Sequence, residues 1–264
     1  NPFRTHEAYK AIAHLPLAER AVRMRTDESL RHALVHQRPQ NQHVTWMDYI
    51  LTRAYELGPE LNYEPDPASA VAARAAALGV DPWQLVLDLL SAGDGATLLL
   101  HPFENYAEGS LEVIREMLTD PHTICGIGDA GAHVGTICDA SYPTFLLTHW
   151  TRDRTRGEQL PLELVVNKQA RRTAEAYGLL DRGLIAPGYR ADLNVIDHDN
   201  LWVGRPELVF DLPAGGKRLL QKAEGYDYTI KSGQVTFRNG EYLGVHPGVV
   251  LRGPQTTELA MAAE

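Results

Sequence analysis

Two short apolar runs with a helical pattern between them constrain the fold of this chain more than any other feature. Residues 96–100 and residues 123–127 are each largely apolar and bounded by turn residues. Such runs are typical of strands buried on both faces, as in a parallel sheet. Between them, Ser110 can cap a helix that Asp120 and Pro121 terminate. These segments predict a βαβ unit and an α/β fold.

The first ninety residues predict mostly helices separated by proline and glycine. We expect one exception, a short strand in the aromatic run at residues 44–51. Among these ninety residues, the predicted helices cover residues 15–35 with a break at Thr26–Glu28, residues 68–78 ending at Gly79, and a segment beginning at Asp81 and Pro82. Further along the chain, residues 162–177 predict another helix, which ends at Gly178.

The pattern changes to β-strands after Pro187 and Gly188. Residues 191–197 form an apolar run, and the strands 228–231 and 234–237 face each other across a two-residue loop, which indicates a hairpin. A further turn is predicted at Asn239–Gly240, and the tail from residue 253 is predicted to be frayed or helical.

Composition excludes several classes of partner and environment. Hydrophobic residues make up 44% of the chain and the formal net charge is −9. A globular protein with this charge repels nucleic acid and anionic lipid. The sequence has no run of about 18 apolar residues, the length that a helix needs to span a bilayer. The two cysteines, Cys125 and Cys138, lie outside any CxxC pattern. With no leader visible, we expect a cytoplasmic protein.

Asp129 is the strongest candidate for a catalytic residue. It follows the predicted strand 123–127, at the carboxyl end where α/β enzymes place their catalytic groups, and Gly128 and Gly131 leave room for a substrate. Two other interpretations stay open. Asp129 could cap a turn, and the glycines spell G-x-G-x-x-G, although a poor helix start follows them and the carboxylate would oppose a phosphate.

Three further residues are candidates for substrate binding. His133 lies four residues beyond Asp129, and His101 follows the preceding predicted strand and so would lie on the same rim. Arg152, in a predicted loop, could bind a substrate carboxylate through two hydrogen bonds. Each also has an ordinary structural interpretation. No HxH, HExxH or CxxC pattern suggests a local metal site, and no G-x-S-x-G or P-loop pattern is present.

Several motifs resemble the amidohydrolase superfamily. The stretch 178–197, with Pro187-Gly188 followed by Ala191-Asp192-Leu193, looks like its closing segment. The segments 128–133, 147–150 and 211–216, with the hairpin loop Ser232–Gly233, resemble the N-acyl-D-amino-acid deacylase branch.

The resemblance implies the C-terminal part of a (β/α)₈ barrel over residues 1–188, with a helical insertion near the N-terminus, followed by β-sandwich strands over residues 189–264. The last barrel strand would deliver Asp129 as the catalytic aspartate. Many members have Ser where this chain has Gly128, a departure that removes a possible hydroxyl hydrogen bond. Zinc is the implied cofactor, and its ligands would come mainly from earlier barrel strands, with Asp129 at most a weak ligand. We expect an incomplete chain that self-associates through its open barrel edge.

The implied reaction is hydrolysis of N-acyl-D-amino acids. A bound zinc lowers the pKa of water from about 15.7 to about 7, and a nearby carboxylate moves the proton to the departing amine. The alternatives are a cyclic-amide hydrolase of the dihydroorotase or hydantoinase kind, and a non-catalytic scaffold. The enzymatic interpretation predicts that Asp129 lies beside a cavity rather than facing bulk solvent.

Overall fold

The computed structural model describes residues 1–126 and 128–256. Backbone contacts divide the chain into two units, residues 1–113 and residues 114–264. The predicted domain boundary between residues 188 and 189 falls within the second unit and stays a prediction. No helix in the described ranges is both long and apolar enough to cross a bilayer.

The first unit consists mainly of helices whose ends follow local capping rules. The Asp27 side chain accepts a hydrogen bond from the Leu30 N–H, and the Asp81 side chain accepts one from Trp83. Gly79 ends a helix in the left-handed conformation, at φ +68°. These predicted helix boundaries are confirmed. The helices are α1 (Glu7–Lys10), α2 (Leu17–Thr26), α3 (Glu28–His36), α4 (Gln42–Leu51), α5 (Val71–Leu78) and α6 (Pro82–Ser91).

An apolar core fills the first unit. The ring of Phe3 packs 5.5 Å from that of Trp83, whose indole nitrogen donates to Asp48 at 2.7 Å. Burying an aliphatic side chain stabilises a fold by about 1.5–3 kcal/mol. The side chains that are fully buried here include Leu34, Val71, Val86 and Leu87.

The predicted strand over residues 44–51 is wrong, because this segment lies in α4. Asn41 caps the helix by accepting from the Val44 N–H, and Met47, Ile50 and Leu51 are buried along one side. Burial at three- and four-residue spacing outweighs the β preference of the aromatic and branched residues.

The predicted βαβ unit and barrel are not found. Strand β1 (Tyr55–Leu57) pairs antiparallel with β2 (Leu98–Leu100), whose residues are half-buried rather than buried on both faces. Residues 123–126 form no strand, and residue 127 of that predicted strand lies outside the described residues. Every pair of named strands in the described part of the chain is antiparallel. The mixture of helices and strands is compatible with the α/β class, but no (β/α)₈ barrel is seen.

The later helices include two π-helical stretches. The predicted helix over 110–120 is confirmed as α7 (Glu112–Thr119). The predicted loop around residues 149–154 is wrong: α8 (Tyr142–Thr148) continues into the π-helical stretch His149–Asp153. The predicted helix over 162–177 is confirmed as α9 (Leu162–Asn167), a π-helical stretch (Lys168–Arg172) and α10 (Thr173–Ala176).

The rest of the second unit is built from short antiparallel strands, as the sequence predicts. The hairpin loop Ser232–Gly233 has both residues at positive φ, +52° and +78°, which is the conformation of a two-residue hairpin turn. Three sheets form, with strand orders β10-β9-β8-β3, β4-β7 and β5-β6. The strands are β3 (Leu193–Ile196), β4 (Trp202–Val203), β5 (Glu207–Leu212), β6 (Gly216–Leu220), β7 (Ala223–Glu224), β8 (Tyr226–Lys231), β9 (Gln234–Arg238) and β10 (Glu241–Tyr242). The predicted tail structure falls largely at residues 257–264, outside the described residues.

An ion-pair network joins the segment before β3 to the β8–β9 hairpin. Buried Asp181 accepts from Arg182 at 2.8 Å and from Arg190 at 3.2 Å. Asp192 accepts from Lys231 at 2.7 Å and from the Ser232 N–H at 2.8 Å. The Arg182 side chain also reaches Asp192, at 3.4 Å, so the two carboxylates belong to one network.

Both carboxyl groups of the network have lowered pKa values. Hydrogen bonds from Arg182 lower the pKa of Asp181 against the opposing effect of burial. Burial also acts to raise the pKa of Asp192, but Lys231 and the Ser232 amide lower it overall. A lowered pKa in the folded state stabilises the fold above the unfolded-state pKa of about 3.9, and this stabilisation disappears as pH falls through the folded value.

We predict that Asp181→Ala lowers the free energy of unfolding by about 3 kcal/mol at pH 7, because two guanidinium groups lose their buried partner. The deficit should shrink as pH falls from about 4 through the lowered folded-state pKa of Asp181, because the wild-type carboxyl group then becomes neutral. Urea unfolding at pH 7 and pH 3, followed by circular dichroism, measures both effects. Glu175→Ala is the matched control, since it removes an exposed pair with Arg171 that is worth about 0.5 kcal/mol at most. Equal losses in the two variants would contradict the prediction.

Candidate functional site

Asp129 lies in an exposed turn, which we call the Asp129 loop and define as residues 128–139. Its backbone carbonyl accepts from the Ala132 N–H at 2.9 Å, and its backbone N–H donates to Oδ2 of Asp139 at 2.7 Å. The Asp129 side chain is exposed, and no hydrogen bond from residues 1–126 or 128–256 reaches its carboxylate. The backbone of Asp129 is therefore fixed while its carboxylate stays available.

Gly128 leaves space that the Asp139 carboxylate occupies. A Cβ atom at position 128 would lie 2.5 Å from Cγ and 2.9 Å from Oδ1 of Asp139, and closer still to Oδ2. Contacts under 3.0 Å are essentially never made by real Cβ atoms. The space beside Gly128 is thus taken by a neighbouring side chain, a contact that sequence reasoning missed.

His133 shapes the loop through its backbone. It has a positive φ of +47°, and its carbonyl accepts from the N–H groups of Thr136 at 2.8 Å and Ile137 at 3.1 Å. Its imidazole belongs to an exposed residue. The following residue, Val134, accepts from the Leu219 N–H at 2.7 Å, so β6 is bonded directly to the loop.

The residues around the loop include two thiols whose pKa burial raises. Burial raises the pKa of the Cys125 thiol, although the nearby Lys168 charge opposes it. Burial and then the Asp139 charge raise the pKa of Cys138. The thiolate is the form that binds metal, so a metal ion at either thiol would have to displace the thiol proton. The pKa of Tyr142, whose hydroxyl donates to the Gly126 carbonyl, is also raised by burial.

Buried Lys168 anchors the segment that leads to the Asp129 loop. Its ammonium group donates to the carbonyl of Asp120, to the carbonyl of Thr123 at 2.7 Å and to the Thr123 hydroxyl at 3.0 Å. These contacts hold residues 120–123 against the π-helical stretch Lys168–Arg172 in a non-strand conformation. Nothing in the local sequence marks Lys168 as buried, because its acceptors lie about 45 residues away.

Arg152 is engaged in structural contacts. Its guanidinium pairs with Asp153 at 2.6 Å and donates to the carbonyls of His198, Asp199 and Leu201. The Asp153 hydrogen bonds raise the pKa of Arg152 against the opposing effect of burial. A substrate carboxylate would have to displace several of these contacts.

His101 belongs to the first unit, where its ring lies among aromatic residues. The ring centroids of His101 and Phe103 are 4.8 Å apart at an interplanar angle of 83°, and Tyr49 lies 6.4 Å away. The parallel-sheet argument that put His101 on one rim with Asp129 fails, because β2 pairs antiparallel with β1.

Two cavities in the described part of the chain lie away from the Asp129 loop. One, of about 1100 Å³, is in the first unit beside α4 and includes Trp46 and Tyr49. The other, of about 590 Å³, is in the second unit beside Gly225 and Thr229. Neither is lined by Asp129, whose side chain is exposed, so neither of them is the predicted cavity beside its carboxylate. The case for an enzyme must come from another observation.

The described residues do not fit a metal ion. Residues 1–126 and 128–256 contain no group of three or more His, Cys, Asp and Glu side chains placed to hold one. A structural or catalytic zinc needs at least three such protein ligands. The zinc site implied by the sequence resemblance therefore has no counterpart in this part of the chain.

Comparison with known proteins gives one match. The model of a family described as the amidohydrolase family matches residues 65–237, well over half of the chain. The match includes the Asp129 loop, the ion-pair network and the β8–β9 hairpin. No curated protein and no solved structure gives a significant match.

We predict that the 264-residue chain retains far less than one zinc ion per molecule after incubation with zinc and dialysis, because no three ligand side chains are grouped among the described residues. Inductively coupled plasma mass spectrometry measures the zinc content. The double variant Cys125→Ser/Cys138→Ser is the control, and it should give the same low value. Retention of one zinc per chain would contradict the prediction.

Proposed function

The chain belongs to the amidohydrolase family, and from that premise we propose that it contributes the acid–base aspartate, Asp129, to an enzyme that deacylates N-acyl-D-amino acids. Membership implies metal-dependent hydrolase activity in general. The substrate class and the role of Asp129 are the proposal.

The availability of the Asp129 carboxylate is the observation that carries the proposal. Asp129 lies within the matched residues and its backbone is held on both sides, yet none of the described residues bonds to its carboxylate. Structural carboxylates of the second unit behave differently, since Asp181 and Asp192 are each bound by two or more donors. A carboxylate that is positioned but not paired is suited to proton transfer.

Hydrolysis of an amide requires that a proton move from water to the leaving nitrogen. In the proposed step, Asp129 accepts the proton of the attacking water while the water oxygen bonds to the carbonyl carbon. The protonated Asp129 then donates to the amine nitrogen as the C–N bond breaks. A positioned acid–base group contributes about 10²- to 10⁴-fold in rate. Gly131, two residues beyond Asp129, has open space beside it where a substrate can approach.

The remaining parts of the proposal concern the substrate and the setting. His133 is proposed to contact the substrate because it is exposed in the same loop; His101 and Arg152 are weaker candidates, given the aromatic and structural contacts they already make. The proposed metal is zinc, with ligands outside the described residues. The free thiols of Cys125 and Cys138 favour a reducing compartment, and we propose the cytoplasm. Exposed apolar residues, including Ile185 and Phe210, support self-association.

We predict that Asp129→Asn lowers kcat of the full-length enzyme by about 10²- to 10⁴-fold, because the amide cannot accept the proton. Steady-state hydrolysis of an N-acetyl-D-amino acid measures the effect, with metal content determined in parallel. Metal content should be unchanged. The matched control is Asp227→Asn, an exposed aspartate on β8, which should keep wild-type turnover. Wild-type turnover in Asp129→Asn would refute the role.

The substrate class is tested by competing substrates. We expect the full-length enzyme to hydrolyse N-acetyl-D-amino acids faster than their L-enantiomers and faster than dihydroorotate or hydantoins. Amine release and ring opening can be followed in parallel assays under the same conditions. A preference for the cyclic amides would support the dihydroorotase or hydantoinase alternative, and no activity on either class would favour a non-catalytic scaffold.

A further inference from the structure

We propose that Asp139 is a positioning residue for Asp129, holding the Asp129 backbone through its carboxylate so that the Asp129 side chain points outward from the loop. The inference rests on the proposed function, because Asp139 acts on the reaction only through Asp129. Three observations of the Asp129 loop carry it.

The first observation is the hydrogen bond between the two residues. Oδ2 of Asp139 accepts from the Asp129 N–H at 2.7 Å across ten residues of chain. A bond to an ionised acceptor is shorter and about twice as strong as a neutral one. The other bond described for the Asp129 backbone, its carbonyl to Ala132, stays within the local turn. The Asp139 carboxylate is therefore the long-range tether of Asp129.

The second observation is the fit of this carboxylate against Gly128. The φ of Gly128 lies outside the left-handed region, so alanine could adopt its backbone conformation. The three atoms that would lie nearest to a Cβ at this position all belong to the Asp139 carboxylate. A side chain at 128 would therefore have to displace the Asp139 carboxylate, although the backbone conformation of Gly128 would accept it. The loop is arranged around the position of that side chain.

The third observation is the state of the other carboxylate oxygen. Oδ1 of Asp139 is buried and has no hydrogen-bond partner among the described residues. A buried unsatisfied oxygen is costly, and in native proteins such groups call for an explanation other than packing. The Asp139 charge also adds to the burial effect that raises the pKa of Cys138 and of Tyr142. One oxygen of the Asp139 carboxylate is thus buried without a partner, and the other is bonded to the Asp129 N–H.

An ordinary structural role at the start of α8 does not account for the side chain. The contact that Asp139 makes at the helix entrance is through its backbone carbonyl, which accepts from the Tyr142 N–H at 3.0 Å. That bond persists whatever the side chain is. Substitutions at 139 therefore test the carboxylate alone.

The kinetic test compares four variants of the full-length enzyme with an N-acetyl-D-amino acid as substrate. Asp139→Ala should lower kcat by about 10- to 100-fold with KM within about twofold, since a misplaced catalytic group costs rate rather than ground-state binding. Asp139→Asn keeps an oxygen acceptor and should recover most of kcat. Gly128→Ala should lower kcat as Asp139→Ala does, and adding it to Asp139→Ala should cost little more, because the obstruction is gone.

A second measurement does not depend on activity. In the ¹⁵N-labelled 264-residue chain, the Asp129 amide proton should resonate downfield and exchange slowly with solvent, because it is bonded to the Asp139 carboxylate. Both features should disappear in Asp139→Ala and in Gly128→Ala, and the downfield position should persist in Asp139→Asn. Thermal melting of every variant checks that the fold is kept.

The outcomes separate the inference from the proposed function. An Asp129 amide signal unchanged by Asp139→Ala, or a Gly128→Ala cost equal in both backgrounds, overturns the inference. Wild-type kcat in Asp139→Ala alongside a damaged Asp129→Asn also overturns it and leaves the proposed function standing. A third outcome is that the downfield position of the Asp129 amide proton is lost in Asp139→Ala while Asp129→Asn keeps wild-type turnover. This outcome supports the hydrogen bond from Asp139 to Asp129. It overturns both the catalytic role of Asp129 and the rate effect assigned to Asp139.

Discussion

A charge removed from water must be met by groups of opposite polarity, and the second unit of this chain is organised by that requirement. Asp181, Lys168 and Arg154 are its three buried charged residues within the described ranges. Asp181 is bound by guanidinium groups and Lys168 by oxygens of residues 120–123. Arg154 lies over the Trp150 ring, 4.7 Å from its centroid, and donates to the Glu158 carbonyl at 2.9 Å. Removing the partners of such a buried charge leaves it uncompensated, which makes these contacts decisive for the local fold.

The two units are stabilised in different ways. The large apolar core lies in the first unit, where residues between Phe3 and Leu87 pack around Trp83. The second unit buries fewer apolar side chains and connects its segments by polar bonds, as between Val134 and β6 or between Asp192 and Ser232. The carboxylates of Asp181 and Asp192 are accordingly used in ion pairs and hydrogen bonds within the fold. The Asp129 carboxylate, in contrast, makes no hydrogen bond with the described residues.

Local rules in the sequence predict local structure well and long-range contacts poorly. The caps at Asp27 and Asp81, the stop at Gly79 and the hairpin turn at Ser232 are fixed by neighbouring residues, and each is confirmed. The segment 44–51 became a helix because of burial against distant residues, and the pairing of β2 depended on a partner more than 40 residues away. The candidate Asp129 follows from its motif, but Asp139 and Lys168 act across distances that spacing does not reveal.

A side chain at position 128 and the Asp139 carboxylate would occupy the same space, and this has an evolutionary consequence. A side chain gained at 128 displaces the Asp139 carboxylate and so releases the Asp129 N–H from its acceptor. Loss of the acid at 139 frees the space at 128 in turn. The two positions are therefore coupled through one hydrogen bond, and descendants of this sequence are expected to show covariation between them.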